Sequence, residues 1–184
     1  GNAAFTDQTS FNIRNSNFTL KRMEINNLNN DAFISESNGA VIIENCIFEN
    51  NHASKLIDGD SITVSKSIFN NNDALLVNNQ GFSCIKDSII LNNTNIIQGS
   101  SNYSLDYNWW GSTLENPNKP DDLVISNWIV LNATSNVNTL ENNHVAQVQF
   151  GFYLNNTKYM DLPEINLRLT PINGTCNINS TSVD

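Results

Sequence analysis

The chain has 184 residues, of which 39 % are hydrophobic and only 15 % charged, with a formal net charge of −9 at pH 7 and a sequence pI near 4.5. That acidity removes the attraction on which nucleic-acid and anionic-membrane binding depend. No run of eighteen apolar residues marks a membrane span, and no cleavable leader opens the chain. Asn alone makes up about a fifth of the residues, so solubility rests on amides and hydroxyls more than on charge. The chain reads as a soluble piece of a longer protein, with Gly1 as a tag remnant and any signal or anchor outside it.

Residues 1–17 contain FNIRNSNF, in which Ile13, Ser16 and Phe18 imitate the phrase that follows, out of register. A partial coil or cap is expected there, because the end of a strand stack exposes unpaired edges.

From residue 18 to residue 111 one phrase is restated: FTLKRMEINNL, VIIENCIFENN, ITVSKSIFNNN, SCIKDSIILNN and YSLDYNWWG. Its central apolar residues are Leu20, Ile43, Val64, Ile85 and Leu105, at steps of 23, 21, 21 and 20 residues. Two places earlier stand Phe18, Val41, Ile62, Ser83 and Tyr103; five places later stand Ile25, Phe48, Phe69, Ile90 and Trp110. A fixed period of this size marks a solenoid, whose units bury their apolar faces only by stacking. Within each copy apolar residues alternate and are rich in β-branched and aromatic types, so the units are strands.

A polar residue breaks the alternation at Arg22, Asn45, Lys66, Asp87 and Tyr107. One position leaving the β region there would bend the chain sharply. A third apolar patch, at Ile34, Leu56, Leu76 and Ile96, is followed each time by a glycine: Gly39, Gly59, Gly81 and Gly99. Three short strands per turn predict a parallel β-helix of about five coils spanning residues 1–120. Asn50, Asn71 and Asn92 share one column, beside Asn51, Asn72 and Asn93, and are expected to bond up the stack as an amide ladder. Strict alternation turns Glu24, Ile47, Ile68, Ile89 and Trp109 outward. Ile47, Ile68, Ile89 and Trp109 are therefore a candidate docking surface, to be covered by a β-sandwich expected after Asp121, by the segment before Phe18 or by a foreign surface. The competing explanation is β-propensity alone.

The phrase closes at DYNWWGSTLENPNKP, where Asn108, Trp109, Trp110 and Gly111 form a closing motif and Pro117 and Pro120 forbid the ladder from continuing. No return of the register is expected after Asp121. Residues 121–184 instead show alternation in HVAQVQFGFYLNN and strands at about ten-residue spacing, which predicts a partial immunoglobulin-like β-sandwich.

Cys46, Cys84 and Cys176 are too few and too odd in number for a disulfide framework, and Cys46 shares a small inward column with Ser67 and Ser88. His52 and His144 stand alone, so no metal is expected, and nothing points to a cofactor. Seven sequons, at Asn17, Asn92, Asn102, Asn132, Asn155, Asn173 and Asn179, are no more than the richness in Asn, Ser and Thr produces by chance.

The Asn-rich coils phrased I-x-N-C-x-F-x-N-N and closed by Asn108-Trp109-Trp110-Gly111, with Pro117 following, resemble the large adhesin-like surface proteins of gut methanogenic archaea. That resemblance implies a right-handed parallel β-helix ending in an Asn-aromatic-Trp-Gly motif, followed by bacterial-type immunoglobulin-like domains. The Asn-Trp-Ile-Val-Leu run from Asn127 and the later Leu162-Pro163 resemble the opening of such a domain. It further implies extracellular display on the cell surface, attachment to a surface glycan or protein, neighbouring immunoglobulin-like domains in the same chain, and no catalytic residues.

An adhesion or structural module is thus one expectation, and a β-helix polysaccharide lyase or glycosidase is the alternative, since a fold does not fix a function. A glycosidase needs two carboxylates about 5 to 9.5 Å apart across a groove. Asp58, Asp60, Asp73 and Asp87 fall in different columns, and Lys55 or Lys66 near Asp58 is the best basic partner for a lyase.

Overall fold

The structure, a computed structural model, describes residues 9–138 and 144–165. Within them the chain is all-β and winds as a parallel solenoid of about six turns. The first coil holds β1 (Phe11–Arg14), β2 (Phe18–Lys21) and β3 (Glu24–Asn26), and the second β4 (Ala32–Ser37), β5 (Val41–Glu44) and β6 (Ile47–Glu49). The third holds β7 (Lys55–Gly59), β8 (Ile62–Ser65) and β9 (Ile68–Asn70), and the fourth β10 (Ala74–Asn78), β11 (Ser83–Lys86) and β12 (Ile89–Leu91). The fifth holds β13 (Asn95–Gly99), β14 (Tyr103–Ser104) and β15 (Asn108–Thr113). First, second and third strands of successive coils pair into three parallel sheets.

The repeat steps are the strand register. In the second sheet Leu20 lies against Ile43, Ile43 against Val64 and Val64 against Ile85; in the third, Ile25 lies against Phe48, Phe48 against Phe69 and Phe69 against Ile90. The Phe48 and Phe69 rings stack with centroids 4.9 Å apart and planes 6° from parallel, and Phe33 meets Phe48 edge-on at 6.2 Å. All five residues that break the alternation are left-handed: Arg22, Asn45, Lys66, Asp87 and Tyr107 have φ of 56°, 54°, 49°, 53° and 63°. Three of these are neither Gly, Asn nor Asp, so each costs roughly 1–2 kcal/mol locally. Core burial on both sides of the bend offsets that strain.

The glycines before the second strands are fixed by closeness of the neighbouring coil. A Cβ on Gly81 would lie 2.2 Å from the Asp60 carbonyl oxygen, and one on Gly99, which has φ of +95°, would lie 2.2 Å from that of Asn78.

Three expectations are corrected here. Of the partial coil or cap expected before Phe18 it is the coil that forms, but in register with the rest: β1 pairs in parallel with β4, Phe11 against Ile34, and so begins the first coil. The third apolar column is registered as Ile34, Ile57, Leu76 and Ile97, with Phe33, Leu56, Leu75 and Ile96 buried beside it, so both residues of each apolar pair serve the core. Most consequential, the ladder continues past Pro120. β16 (Trp128–Ser135) pairs in parallel with β15, Asn108 against Trp128 and Trp109 against Ile129, and Ile125 joins the main core. The loop holding Pro117 and Pro120 bulges out, and the coil resumes beyond it.

The expected immunoglobulin-like sandwich is not formed by the described residues. Past the sixth turn β16 doubles back into β17 (Val148–Leu154) and β18 (Thr157–Lys158), antiparallel strands that extend the third sheet edge to edge. Most of the remaining expected strands, in INLRLTP and TCNINSTSV, lie outside the described residues.

Because Phe69 is wholly buried between Phe48 and Ile90, Phe69→Ala should lower the unfolding free energy by about 3–5 kcal/mol. Urea denaturation followed by circular dichroism measures this; a loss under about 1 kcal/mol would contradict the registered core.

Candidate functional site

The outward stripe lies on the third sheet, with Glu24, Ile47, Ile68, Ile89 and Trp109 in one registered column. It is not a free surface along its whole length. Ile89 is fully buried and Trp109 is 6 % exposed, while Ile47 and Ile68 are half-buried. What covers Ile68, Ile89 and Trp109 is the chain's own segment after the solenoid. Ile89, Trp109 and Ile129 form a second apolar cluster, against which Ile68, Phe152, Tyr159, Leu162 and Ile165 pack. Phe152 meets Trp109 edge-on at 5.0 Å. Ile47 lies outside that cluster.

Polar contacts fasten this strap across the coils. The Tyr159 hydroxyl donates to Asp87 Oδ1 at the bend of the fourth coil. Lys66 Nζ, at the bend of the third coil, lies 3.3 Å from Asp161 Oδ1. The strap therefore runs back along the stack, toward its N-terminal end. Burial, together with the Asp87 carboxylate that accepts its proton, pushes the Tyr159 phenol well above its ordinary range.

The closing motif divides its labour residue by residue. Asn108 is fully buried: its Nδ2 donates to the Ile85 and Leu105 carbonyls at 2.7 and 2.8 Å, and its Oδ1 accepts from the Ser88 N–H at 3.0 Å. It thereby ends an inner column in which Cys46 N–H donates to Ser67 Oγ and Ser67 N–H to Ser88 Oγ, both at 3.1 Å. Trp109 faces outward under the strap, its Nε1 donating to the Ser112 carbonyl at 2.9 Å, and Trp110 faces inward onto the core. Gly111, with φ of +80°, redirects the chain.

The amide ladder is displaced from its expected place. Asn50, Asn71 and Asn92 have φ near +55° and supply a left-handed turn that Asn tolerates. Their side chains make only a broken outer series, Asn71 to Asn50 at 2.7 Å but Asn92 to Asn70 at 3.2 Å. The continuous ladder is one residue on. Asn51 Nδ2 donates to Asn72 Oδ1 and Asn72 Nδ2 to Asn93 Oδ1, both at 2.8 Å. Each Oδ1 also accepts a backbone N–H from the coil before it: Leu28 to Asn51 at 3.0 Å, Asn51 to Asn72 at 3.2 Å and Asn72 to Asn93 at 2.9 Å.

Each acid considered for catalysis is engaged in a structural contact. Asp58 pairs with Lys55 and accepts from Asn79 Nδ2 at 2.8 Å. Asp60 Oδ2 accepts from the Asn38 N–H at 2.8 Å, Asp73 lies 3.2 Å from His52 Nδ1, and Asp87 accepts from Tyr159. Among the described residues no group of three or more His, Cys, Asp or Glu could hold a metal, and Cys46 and Cys84 are free thiols, raised by burial. Cys176 lies outside the described residues.

Two features escaped sequence reasoning. Glu36, 4 % exposed, sits in a column with Ile13, Gly59, Asn78 and Gly99, and its Oε2 accepts from the Asp60 N–H at 3.3 Å. No repeated residue type marked it. The sixth coil did carry a signal, since Leu123, Ile125 and Asn127 each lie twenty places after Tyr103, Leu105 and Tyr107. The chain matches no family model, no curated protein and no solved structure.

The Tyr159 phenol holds its proton more tightly folded than unfolded, so its contribution is fully present below about pH 10, the unfolded value, and declines as pH rises above it. Tyr159→Phe should therefore remove part of the alkaline loss of stability while leaving the neutral stability within about 1 kcal/mol. Melting temperatures of both proteins between pH 7 and pH 11.5 test this; parallel profiles would contradict the contact with Asp87.

Proposed function

We propose that this chain is a non-catalytic attachment or spacer module displayed on a cell surface, the terminal part of a solenoid in an adhesin-like protein. The observation that carries this reading is the covered part of the apolar stripe: over Ile68, Ile89 and Trp109 the segment after the solenoid is packed and clipped onto its flank, as a reinforcing junction would be. A β-helix enzyme would instead keep carboxylates free along an open groove, whereas Asp58, Asp60, Asp73 and Asp87 are spent on structural partners.

The resemblance of the Asn108-Trp109-Trp110-Gly111 closure to adhesin-like proteins of gut methanogenic archaea supports the same reading and adds its finer parts: extracellular location, following immunoglobulin-like domains, and a glycan or protein of a host or microbial surface as partner. The net charge of −9 supports the omission of nucleic acid and anionic lipid from the partners.

The test is incubation of the purified chain with a panel of glycans and cell-wall polymers, scored for retention and for bond cleavage. Retention without new reducing ends or unsaturated uronides is expected. Release of either product at a rate that falls in Asp58→Asn or Asp87→Asn would overturn the proposal in favour of a polysaccharide-degrading enzyme.

A further inference from the structure

The third sheet ends in an open strand edge. β17 has β16 on one side from Val148 to Tyr153, while on the other side β18 pairs only with Tyr153 and Leu154, and the Tyr159 N–H donates to the Phe152 carbonyl at 2.8 Å. Among the described residues no strand pairs with Val148, Gln149 or Phe150 on that side. Successive residues of a strand send their N–H and C=O to opposite neighbours, and two bonds fix which way each residue of β17 is turned. The Asn136 N–H donates to the Gln147 carbonyl at 3.2 Å, so the odd-numbered residues bond toward β16; the Tyr159 bond to Phe152 turns the even-numbered ones away. The N–H and C=O of Val148 and of Phe150 therefore face the open edge.

Nothing in the local sequence guards this edge. Exposed edges are ordinarily blunted by charge, proline or a bulge. From Val145 to Thr157 there is no Asp, Glu, Lys, Arg or Pro, in a chain whose net charge is −9, and the register of β17 on β16 is unbroken. Val148 is 46 % exposed, and by alternation it shares a face with the half-buried Phe150 and with Phe152. Gln149 is exposed on the other face.

We propose that this edge binds the same edge of a second copy of the chain, β17 against β17, antiparallel about a two-fold axis through Gln149. The register follows from the directions of the bonding groups. The Val148 N–H of each copy donates to the Phe150 carbonyl of the other, and the Phe150 N–H to the Val148 carbonyl. Gln149 then faces Gln149 of the second copy as the non-hydrogen-bonded pair between them. On one face Val148 packs against Phe150 of the second copy; on the other the two Gln149 amides meet. The short opening selects this occupant over a longer foreign strand. The next place along the edge, opposite Phe152, is taken by Tyr159, so a partner strand has to leave the ladder there. A second copy does so, because Ala146 would come opposite Phe152 and β17 begins only at Val148. An isologous contact of this kind closes on itself as a dimer with one continuous third sheet. The contact is small and belongs with weak, transient interfaces. The dimer neither needs the attachment reading nor supports it.

The experiment is sedimentation equilibrium of the whole chain from about 10 µM to about 1 mM at about 0.15 M salt, where long-range repulsion between acidic copies is screened. A reversible monomer–dimer equilibrium with Kd between about 20 µM and about 1 mM is expected. Gln149→Lys and Gln149→Glu change an exposed side chain and place like charges opposite each other across the axis, so each alone should weaken the dimer at least about fivefold. An equimolar mixture of the two should recover at least the original affinity, as a mixed dimer with opposite charges in register. Val148→Pro removes an N–H that bonds nothing within the chain and should weaken the dimer at least about tenfold, since the two-fold axis deletes the bond twice. A chain that stays monomeric throughout the range would overturn the proposal. So would a dimer that both Gln149 variants leave unchanged, or a mixture of them that recovers no affinity.

Discussion

Everything in this fold depends on keeping one coil directly above the last, and buried polar rungs hold that register. Apolar columns are permissive, because Ile, Val, Leu and Phe exchange with little penalty when one strand slides on another. The Asn51, Asn72 and Asn93 amides are not permissive. Each donates and accepts along the axis inside the coil, where a slip would leave buried N–H and C=O groups unpaired at roughly 1–3 kcal/mol apiece. The Cys46, Ser67, Ser88 and Asn108 column does the same on the opposite side of the third strand, so β6, β9 and β12 are pinned at both ends. Between the pins the Phe48 and Phe69 rings stack nearly parallel, a geometry that requires aligned strands.

A solenoid so constrained must end somewhere, and here it ends asymmetrically. The first and second sheets stop at β13 and β14, whereas the third continues into β16 and then reverses. Gly111 sends the chain outward, the proline loop bulges, and a sixth turn covers the core with Leu123, Ile125 and Trp128. The reversed strands and the strap beyond them then return along the outer face. Apolar residues that a lone solenoid would expose to water become the floor of a second, smaller core, and the inner amide ladder ends at Asn93.

Much of the solenoid was legible because its constraints repeat. The bend residues Arg22, Asn45, Lys66, Asp87 and Tyr107 differ in type but share a place, and that place proved to be the left-handed one. The ladder position was less legible, since two adjacent asparagines recur in each copy and composition cannot tell which takes the turn and which faces inward. The sixth coil was hidden by chemistry rather than spacing: Pro117 and Pro120 signalled an end, and Trp128 stands where Asn108 stood. Alternation assigned Ile89 and Trp109 to the outer face but is silent on what lies over it, because the covering residues Phe152, Tyr159 and Leu162 come from a non-repeating stretch. Glu36 and Asn78 fill a column with glycine between them, a local solution no period could reveal.

The claim that buried rungs set the register is tested most directly by comparing two neighbouring asparagines. Urea unfolding of Asn72→Ala and Asn71→Gly, the latter keeping a left-handed turn without a side chain, separates the inner amide from the outer one. The account predicts that Asn72→Ala loses about 2–5 kcal/mol, since it strands the Asn51 N–H and Asn51 Nδ2, while Asn71→Gly loses less than about 1 kcal/mol. Equal losses, or a larger loss for Asn71→Gly, would contradict it.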